Sequence, residues 1–483
     1  MGVFPLHFLL KSATTSGMEE PRVELIYKES HSVRRQERLL VWCIAVLALV
    51  LAMVRLMLQG GAADADAMTA AQSMAQSWRN FLYGTVDAAG QVTAGPPLAH
   101  WPQAALAALM GASPLSVRLP QVLAVFAACL LAAWALRPAG QGSPFGGALA
   151  AGLALASPAV LALGGSAQGT LWALCSLLGC AALACGAAAR GSAWRLALSA
   201  LLAGAAFHML GSAALPVLPA LAVLWFTGSD TRRRVWAFAF ALAVFAVAAL
   251  AWFCAVAVQD ASARPAIAGV ENGNPFALLL EPYTDGAPTA VERLAGGAWG
   301  AVHVWWLGWG TAGGVAALLA ALARGPQDDW LAARVQAFWL AWAAGAAALL
   351  AFAPQPLPGH ALALTAALIG LAAHSAMVLL DGMDSPWVAL ATAAALFAAG
   401  IAQTRWLGSA AAWGRWAFVF PLCACAAALV LLVARLLPGS RPGQWRAVAA
   451  AGLLALLIAP AVFAVGALFG MPGNPVAGLL GAG

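Results

Sequence analysis

The sequence predicts an all-α, polytopic membrane protein of about thirteen transmembrane helices. Three observations lead there. Apolar residues make up 63% of the 483 positions and charged ones only 9%, whereas soluble domains carry roughly 25% charge. Windows of about twenty apolar residues, the length that crosses a bilayer core about 30 Å thick, recur along the chain. The 18 acidic residues all fall between those windows, so lipid is the solvent the windows are built for.

The windows lie at 39–58, 115–136, 145–163, 168–189, 194–209, 212–228, 234–258, 298–323, 333–353, 360–380, 386–403, 415–436 and 446–469. Alanine and glycine dominate them, which suits close helix packing where no hydrophobic force drives association. Arg55 lies inside the first window near its end, where it can snorkel to the interface. The segment before that window carries Arg34, Arg35 and Arg38. It is too long and too acidic for a signal peptide, so the first window reads as an anchor.

With residues 1–38 in the cytoplasm, seventeen Lys and Arg face inward and six face outward, a clear positive-inside bias. A multi-pass plasma-membrane protein follows, with its N-terminus cytoplasmic and the tail 471–483 extracytoplasmic. The transmembrane domain covers 39–470. Two outward loops are long, 59–114 and 259–297. Unequal outer loops on a many-helix base suit an enzyme working at the outer surface better than a transporter, which would show repeats and intramembrane charge.

The net charge of +6 comes from basic residues beside apolar runs without stacking aromatics, so no nucleic-acid partner is indicated. The eight cysteines sit in apolar runs without paired spacing. They read as small buried hydrophobes, not as disulfides or a zinc site.

The first outer loop carries the chemistry-bearing residues. It reads Asp64, Asp66, then Gln72 through Ser77-Trp78-Arg79-Asn80-Phe81, then Gly95-Pro96-Pro97, His100-Trp101 and Arg118-Leu119-Pro120-Gln121. This suggests two short interfacial helices joined by a Pro-Pro turn, with Trp78, Phe81, Tyr83 and Trp101 at headgroup level. The stretch resembles the polyprenyl-phosphate-sugar glycosyltransferases of family 39, the protein O-mannosyltransferases and aminoarabinose transferases, in an actinobacterial-like branch. Those proteins carry an acidic motif after the first span, a Gln-Ser-Trp-like helix, a Lys-Pro-Pro turn and a Leu-Pro-Gln entry to the second span. The order continues through Ser157-Pro158, Phe207, Pro219, Arg264-Pro265, Glu281 to Gly286, Trp413 to Trp416 and Ala459-Pro460.

The resemblance implies a GT-C-like fold and transfer of a hexose such as mannose from a polyprenyl-phosphate donor to an extracytoplasmic acceptor. It also implies that Asp64 is the catalytic base, with Asp66 the near alternative. A carboxylate would take the acceptor's proton and cations would hold the leaving phosphate. Arg118, Arg79 and His208 are the candidates for that phosphate, and His360 for a polar contact in the cavity. A divalent metal is compatible with two carboxylates beside a phosphate, and no other cofactor is indicated. The bland readings stay open: two acids among alanines also solvate a loop or cap a helix, Arg118 also anchors a span end, and a lone histidine is usually packed.

The family pattern is altered at several places. Gly95 stands where the family has lysine, Asp66 and Ala67 where it has an aromatic pair, and Gly164-Gly165 and Gly169-Thr170 where it has Asn-Arg and Pro-Asp. Leu210 stands at another lysine, and Leu357 to His360 at His-Pro-Tyr-Tyr. Two alternatives therefore stand beside the transferase: an inactive scaffold or partner of another transferase or envelope protein, and a lipid or solute transporter.

Overall fold

The structure is a computed structural model. It describes residues 20–58, 65–137, 145–164, 169–226, 231–260, 264–268, 270, 273–279, 294, 297–323, 330–352, 358–409, 417–436 and 441–468. Its long helices are α1 (Glu20–Leu58), α5 (Pro114–Leu136), α8 (Thr170–Arg190), α9 (Ala193–Leu210), α11 (Thr231–Ala257), α12 (Gly297–Ala323), α13 (Trp330–Phe352), α14 (Pro358–Asp381), α15 (Pro386–Ser409), α16 (Val419–Leu436) and α17 (Pro442–Leu468). Shorter ones are α2 (Ala65–Gln76), α3 (Trp78–Tyr83), α4 (Trp101–Met110), α6 (Gly146–Ala156), α7 (Pro158–Gly164) and α10 (Val217–Phe226).

Every one of the thirteen apolar windows coincides with a helix or a bent helix pair. Among the described residues nine helices are long and apolar enough to cross a membrane by themselves, and α6 with α7 makes a tenth. Three further windows contain the shorter apolar stretches Val217–Phe226, Trp306–Leu322 and Val419–Arg435. The third window departs from a straight span: its two helices bend by 63°. Pro158 cannot donate a backbone hydrogen bond, and Ser157 is extended (ψ 117°), so the span changes direction there rather than ending.

Burial sorts the helices into layers. The apolar window of α14 is wholly buried, whereas those of α1 and α11 are 28% buried. The former is the central post and the latter two face lipid. Around α14 pack Trp306, Phe338, Trp339 and Trp342, with Trp339 and Trp342 stacked at 5.5 Å. Gly370 permits this, since a Cβ there would come within 2.3 Å of the Trp339 ring. A buried polar net ties three helices together. Gln336 Nε2 donates to the Gly314 carbonyl and to Ser375 Oγ, both at 3.0 Å, and His374 Nδ1 donates to Gln336 Oε1 at 2.6 Å. Interhelical bonds of this kind average roughly 0.6 kcal/mol in lipid.

The two ends of the bundle differ. At one end Arg334 Nη2 reaches the Leu224 carbonyl and Arg234 Nη1 the Trp225 carbonyl, at 2.5 and 2.8 Å. Two cations thus satisfy the last carbonyls of α10, where the helix dipole favours positive charge. The opposite end, called the loop end below, carries α2, α3 and α4.

All eight cysteines are free thiols. Cys43, Cys254 and Cys423 are exposed on the bundle surface rather than buried, a correction to the expectation that all fill the core. The physical reason is that a lipid-facing position rewards a small hydrophobe as well as an interior one does.

Candidate active site

The loop between α1 and α5 is more structured than two helices and a turn. Ser77 accepts from the Asn80 amide and caps α3, and Gly84 closes it in the left-handed region (φ 68°), where glycine carries no steric cost. Asn80 Nδ2 donates to the Ser73 carbonyl at 3.1 Å, and Ser73 and Thr85 share a hydroxyl bond of 2.7 Å. Asp87 accepts from the amides of Gln91 and Val92 at 2.8 and 2.6 Å. Those bonds, led by the one from Val92, hold its carboxyl below the usual carboxylate range. The turn feeds strand β1 (Val92–Thr93), which pairs in parallel with β2 (Ala266–Ile267) of the second long loop. Thr93 Oγ1 lies within 2.8–3.2 Å of the carbonyls of Tyr83, Gly84 and Gly95.

Aromatic rings line the same loop. Trp78, Phe81 and Trp101 stack in series, with centroids 5.3 Å apart at each step. Trp101 Nε1 also donates to the Phe81 carbonyl at 2.8 Å. Trp78 is 73% exposed, the place of an interfacial anchor.

The loop positions the start of α5. Ser113 and Ser116 form a reciprocal capping box. Gln103 Nε2 donates to the Val117 carbonyl at 2.8 Å, bracing α4 against that first turn. Arg118 is the residue so held, and it is 3% exposed. Its neighbour in space is Arg55, 7% exposed near the end of α1 and close enough for the two charges to repel. Arg55 Nη1 donates to the Leu161 carbonyl of α7 at 3.4 Å.

The floor beneath the two arginines is packed tightly. A Cβ at Gly164 would meet Val125 at 2.5 Å and Ala52 at 3.5 Å. Arg55 is three residues beyond Ala52, and Gln121 and Arg118 are one and two turns before Val125, so all three stand over that floor. Gln121 is fully buried, and among the described residues neither of its amide atoms has a hydrogen-bond partner. A desolvated amide without a partner costs about 1–3 kcal/mol, so the Gln121 amide, which shares this floor with Arg55 and Arg118, is suited to take a sugar hydroxyl or an anion.

The other expected residues are distributed as follows. Asp64 lies outside the described residues, immediately before Ala65 at the start of α2. Asp66 is exposed in the first turn of α2, and Arg79 is exposed on α3. His208 is half-buried near the end of α9, where Nε2 donates to the Ala248 carbonyl at 2.5 Å. His360 is buried in the first turn of α14, with Nε2 3.3 Å from Ser212 Oγ. The segment 281–286 and Trp413 to Trp416 also lie outside the described residues. Among the described residues no group of three or more His, Cys, Asp or Glu could hold a metal ion.

Arg55 and Gln121 were missed by sequence reasoning. A lone arginine near a span end reads as snorkelling, and the glutamine reads as part of an entry motif. The available signal was position: Arg55 lies in the last turn of α1, just before the first outer loop, and Gln121 two turns into α5, just after it.

The altered family positions are built into the backbone. Gly95 has φ 140°, a conformation L side chains rarely adopt. A Cβ at Gly169 would lie 2.1 Å from the Ala99 carbonyl oxygen. Leu210 is buried and packs against Gly359. Lysine at 95 or any side chain at 164 or 169 would require the local chain to move.

No family model matches this chain. Its fold is similar to that of ArnT from Cupriavidus metallidurans. The apo crystal structure of that protein aligns over 90% of this chain and 77% of its own, with 18% identity and a TM-score of 0.51. The same protein bound to undecaprenyl phosphate aligns over 87% and 76%, with 20% identity and a TM-score of 0.46. In sequence, 217 residues, 44% of this chain, are 28% identical to the "Putative mannosyltransferase YycA" of Bacillus subtilis (strain 168). That match covers 31% of the relative, so the chain aligns with under a third of its length. The likeness to the apo structure establishes the fold: an all-α, polytopic, GT-C-like membrane protein.

Proposed function

We propose that this chain is a membrane glycosyltransferase that moves a hexose from a polyprenyl-phosphate donor to an acceptor hydroxyl at the outer membrane surface. The observation that carries the reading is the pair of buried arginines, Arg55 and Arg118, close to each other at the loop end. In the step itself the acceptor oxygen bonds to the sugar's anomeric carbon as its proton passes to Asp64. The bond from that carbon to the phosphate oxygen breaks, and its electron pair leaves with the polyprenyl phosphate. Charge therefore grows on the phosphate as the bond lengthens, and guanidinium donors placed beforehand stabilise it most in the transition state. Asp66 is the alternative base, and Arg79, His208 and His360 are secondary polar contacts.

The test is the purified protein in nanodiscs with radiolabelled polyprenyl-phosphate sugars. Transfer of label from one of the donors to an acceptor or to water is expected. Binding to the folded state raises stability by about 2.7 kcal/mol at a hundredfold excess over Kd, so that donor also raises the melting temperature. Absence of both transfer and shift across hexose donors sinks the reading.

A second reading, an inactive scaffold for another transferase, is favoured by the glycines at 164 and 169, whose surroundings leave no room for a side chain, and by Gly95, whose φ of 140° disfavours one. It predicts no donor-induced shift together with co-purification of another membrane transferase.

The reading also requires the loop end to face outward. A cysteine replacing Asp87 should react with a membrane-impermeant maleimide on intact cells, and one replacing Arg233 only after permeabilisation. Labelling of position 233 from outside would invert the topology and remove the donor site from that surface.

A further inference from the structure

Four chain ends meet at the end of the bundle opposite the loops, around one side chain. Trp225 of α10 is buried, and Ala187 of the last turn of α8, Leu196 of the first turn of α9 and Ala241 of α11 belong to one cluster with it. Its indole Nε1 donates to the Arg234 carbonyl at 2.9 Å, and the Arg234 guanidinium lies 5.8 Å from its ring centre. The first turn of α11 is thereby pinned to the end of α10. Helices α9 and α11 run side by side in the same direction. A Cβ on Gly204 would meet the Phe245 carbonyl at 3.1 Å, and Ala200 shares the Trp225 cluster with Ala241. Nine residues before Gly204 and Phe245 stand Arg195 and Trp236, so these two are level at that end.

Arginines crowd these ends beyond what packing uses. Arg234 and Arg334 satisfy the last carbonyls of α10, but Arg190, Arg195, Arg232 and Arg233 are not used that way. Among the described residues none of those four side chains is in an ion pair. Arg190, Arg232 and Arg233 are exposed and Arg195 is half-buried. Arg195 leans on α8, where a Cβ at Gly186 would come within 3.2 Å of its Nη1. Arg190 follows Gly186 by one turn on the same stripe of α8, and like charges gathered in this way repel. Three of the four also stand in the first turns of α9 and α11, where the helix dipole disfavours cations and no acid is present. Asp230, which precedes α11, lies outside the described residues. A patch of this kind becomes favourable when an anion sits on it.

The surroundings make that anion a lipid headgroup. Trp194 and Trp236, at the level of the arginines, are 68% and 71% exposed, the place of rings at a headgroup boundary. Further along the span α11 turns Phe240 and Val247 outward, and its apolar window is the lipid-facing one described above. Acyl chains therefore have a wall directly beside the cations.

We infer that the ends of α8, α9 and α11 hold an anionic diacyl phospholipid of the phosphatidylglycerol class, with its phosphodiester against Arg190, Arg195, Arg232 and Arg233 and its chains along α11. Basic clusters between helix ends recognise acidic headgroups in this manner. The site lies a full span away from the loop end and is independent of the sugar-donor reading. With the loop end outward, it belongs to the inner leaflet.

The test is native mass spectrometry of the full-length protein in detergent, titrated with phosphatidylglycerol or phosphatidylcholine. The wild type should retain phosphatidylglycerol at least about tenfold more tightly, since each arginine near a headgroup adds roughly 1 kcal/mol. Arg195→Gln with Arg233→Gln should remove that preference while leaving the lipid-free melting temperature unchanged, because exposed charges add little to stability. If that pair melts early, Arg190→Gln with Arg232→Gln carries the same expectation. Arg137→Gln with Arg441→Gln removes equal charge from exposed positions at the same end and should leave the affinity as it is. Unchanged affinity in a stably folded patch variant, an equal loss in the Arg137 and Arg441 control, equal retention of phosphatidylcholine, or displacement of the lipid by millimolar inorganic phosphate each overturns the inference.

Discussion

Replacement of Asp64 by asparagine is expected to lower kcat for sugar transfer by about 10²–10⁴-fold, the usual contribution of a positioned general base, while the donor KM changes little. Asparagine keeps the size and one acceptor oxygen of the side chain and removes only the basicity. Loss in kcat without loss in KM is the mark of an interaction made in the transition state. The measurement is initial-rate transfer in nanodiscs with donor and acceptor varied separately. Asp66→Asn is the internal comparison: if Asp64→Asn transfers as fast as the wild type and Asp66→Asn does not, the base is the second acid. Full rates in both variants would exclude either acid.

Arg118→Ala is expected to fail differently. A charge-assisted hydrogen bond contributes roughly 1.5–3 kcal/mol, so loss of the guanidinium should cost about 10–150-fold in kcat/KM, with the donor-induced thermal shift abolished. Arg55→Gln should give a loss of the same order. Because the two arginines stand close to each other, the double variant should lose less than the product of the single losses, as coupled sites do. Arg79→Ala, a change at an exposed secondary contact, should cost much less, staying within about fivefold of wild type, since exposed charges contribute roughly 0–1 kcal/mol. Retention of the donor shift in both Arg118→Ala and Arg55→Gln would place the phosphate elsewhere.

The fold was legible because lipid imposes a simple rule: backbone polar groups must be satisfied within each segment. A twenty-residue apolar window therefore nearly determines a helix, and all thirteen windows became helices. The bend in the third span was half legible. Ser157-Pro158 marks the position, but only packing decides whether a proline ends a helix or turns it, here by 63°. The β1–β2 pairing could not be read, because two strands of two residues each carry no periodicity and are joined only in space.

The candidate site divides in the same way. Arg118 could be read because its motif opens a span directly after the loop. Arg55 and Gln121 could not, because a single polar residue within an apolar run gives no sign of which face it occupies. The altered positions were visible as substitutions, but the sequence did not reveal that the chain has closed in around them. Gly169 pressed against the Ala99 carbonyl is a property of two backbones, not of one residue.

The short parallel ladder between Val92–Thr93 and Ala266–Ile267 also bears on the order of assembly. The second strand follows the first by 174 residues. At roughly 5–20 residues per second of synthesis, it leaves the ribosome about 9–35 s later. In that interval the helices from α5 to α11 must be inserted. The first loop therefore waits on the membrane surface without its partner strand, held by its own capping bonds and by the Trp78, Phe81 and Trp101 stack. The ladder is a clasp that can close only after the first half of the bundle is in place, so a nascent chain halted before residue 266 has its first-loop acids and arginines but not the fastening that joins the two loops.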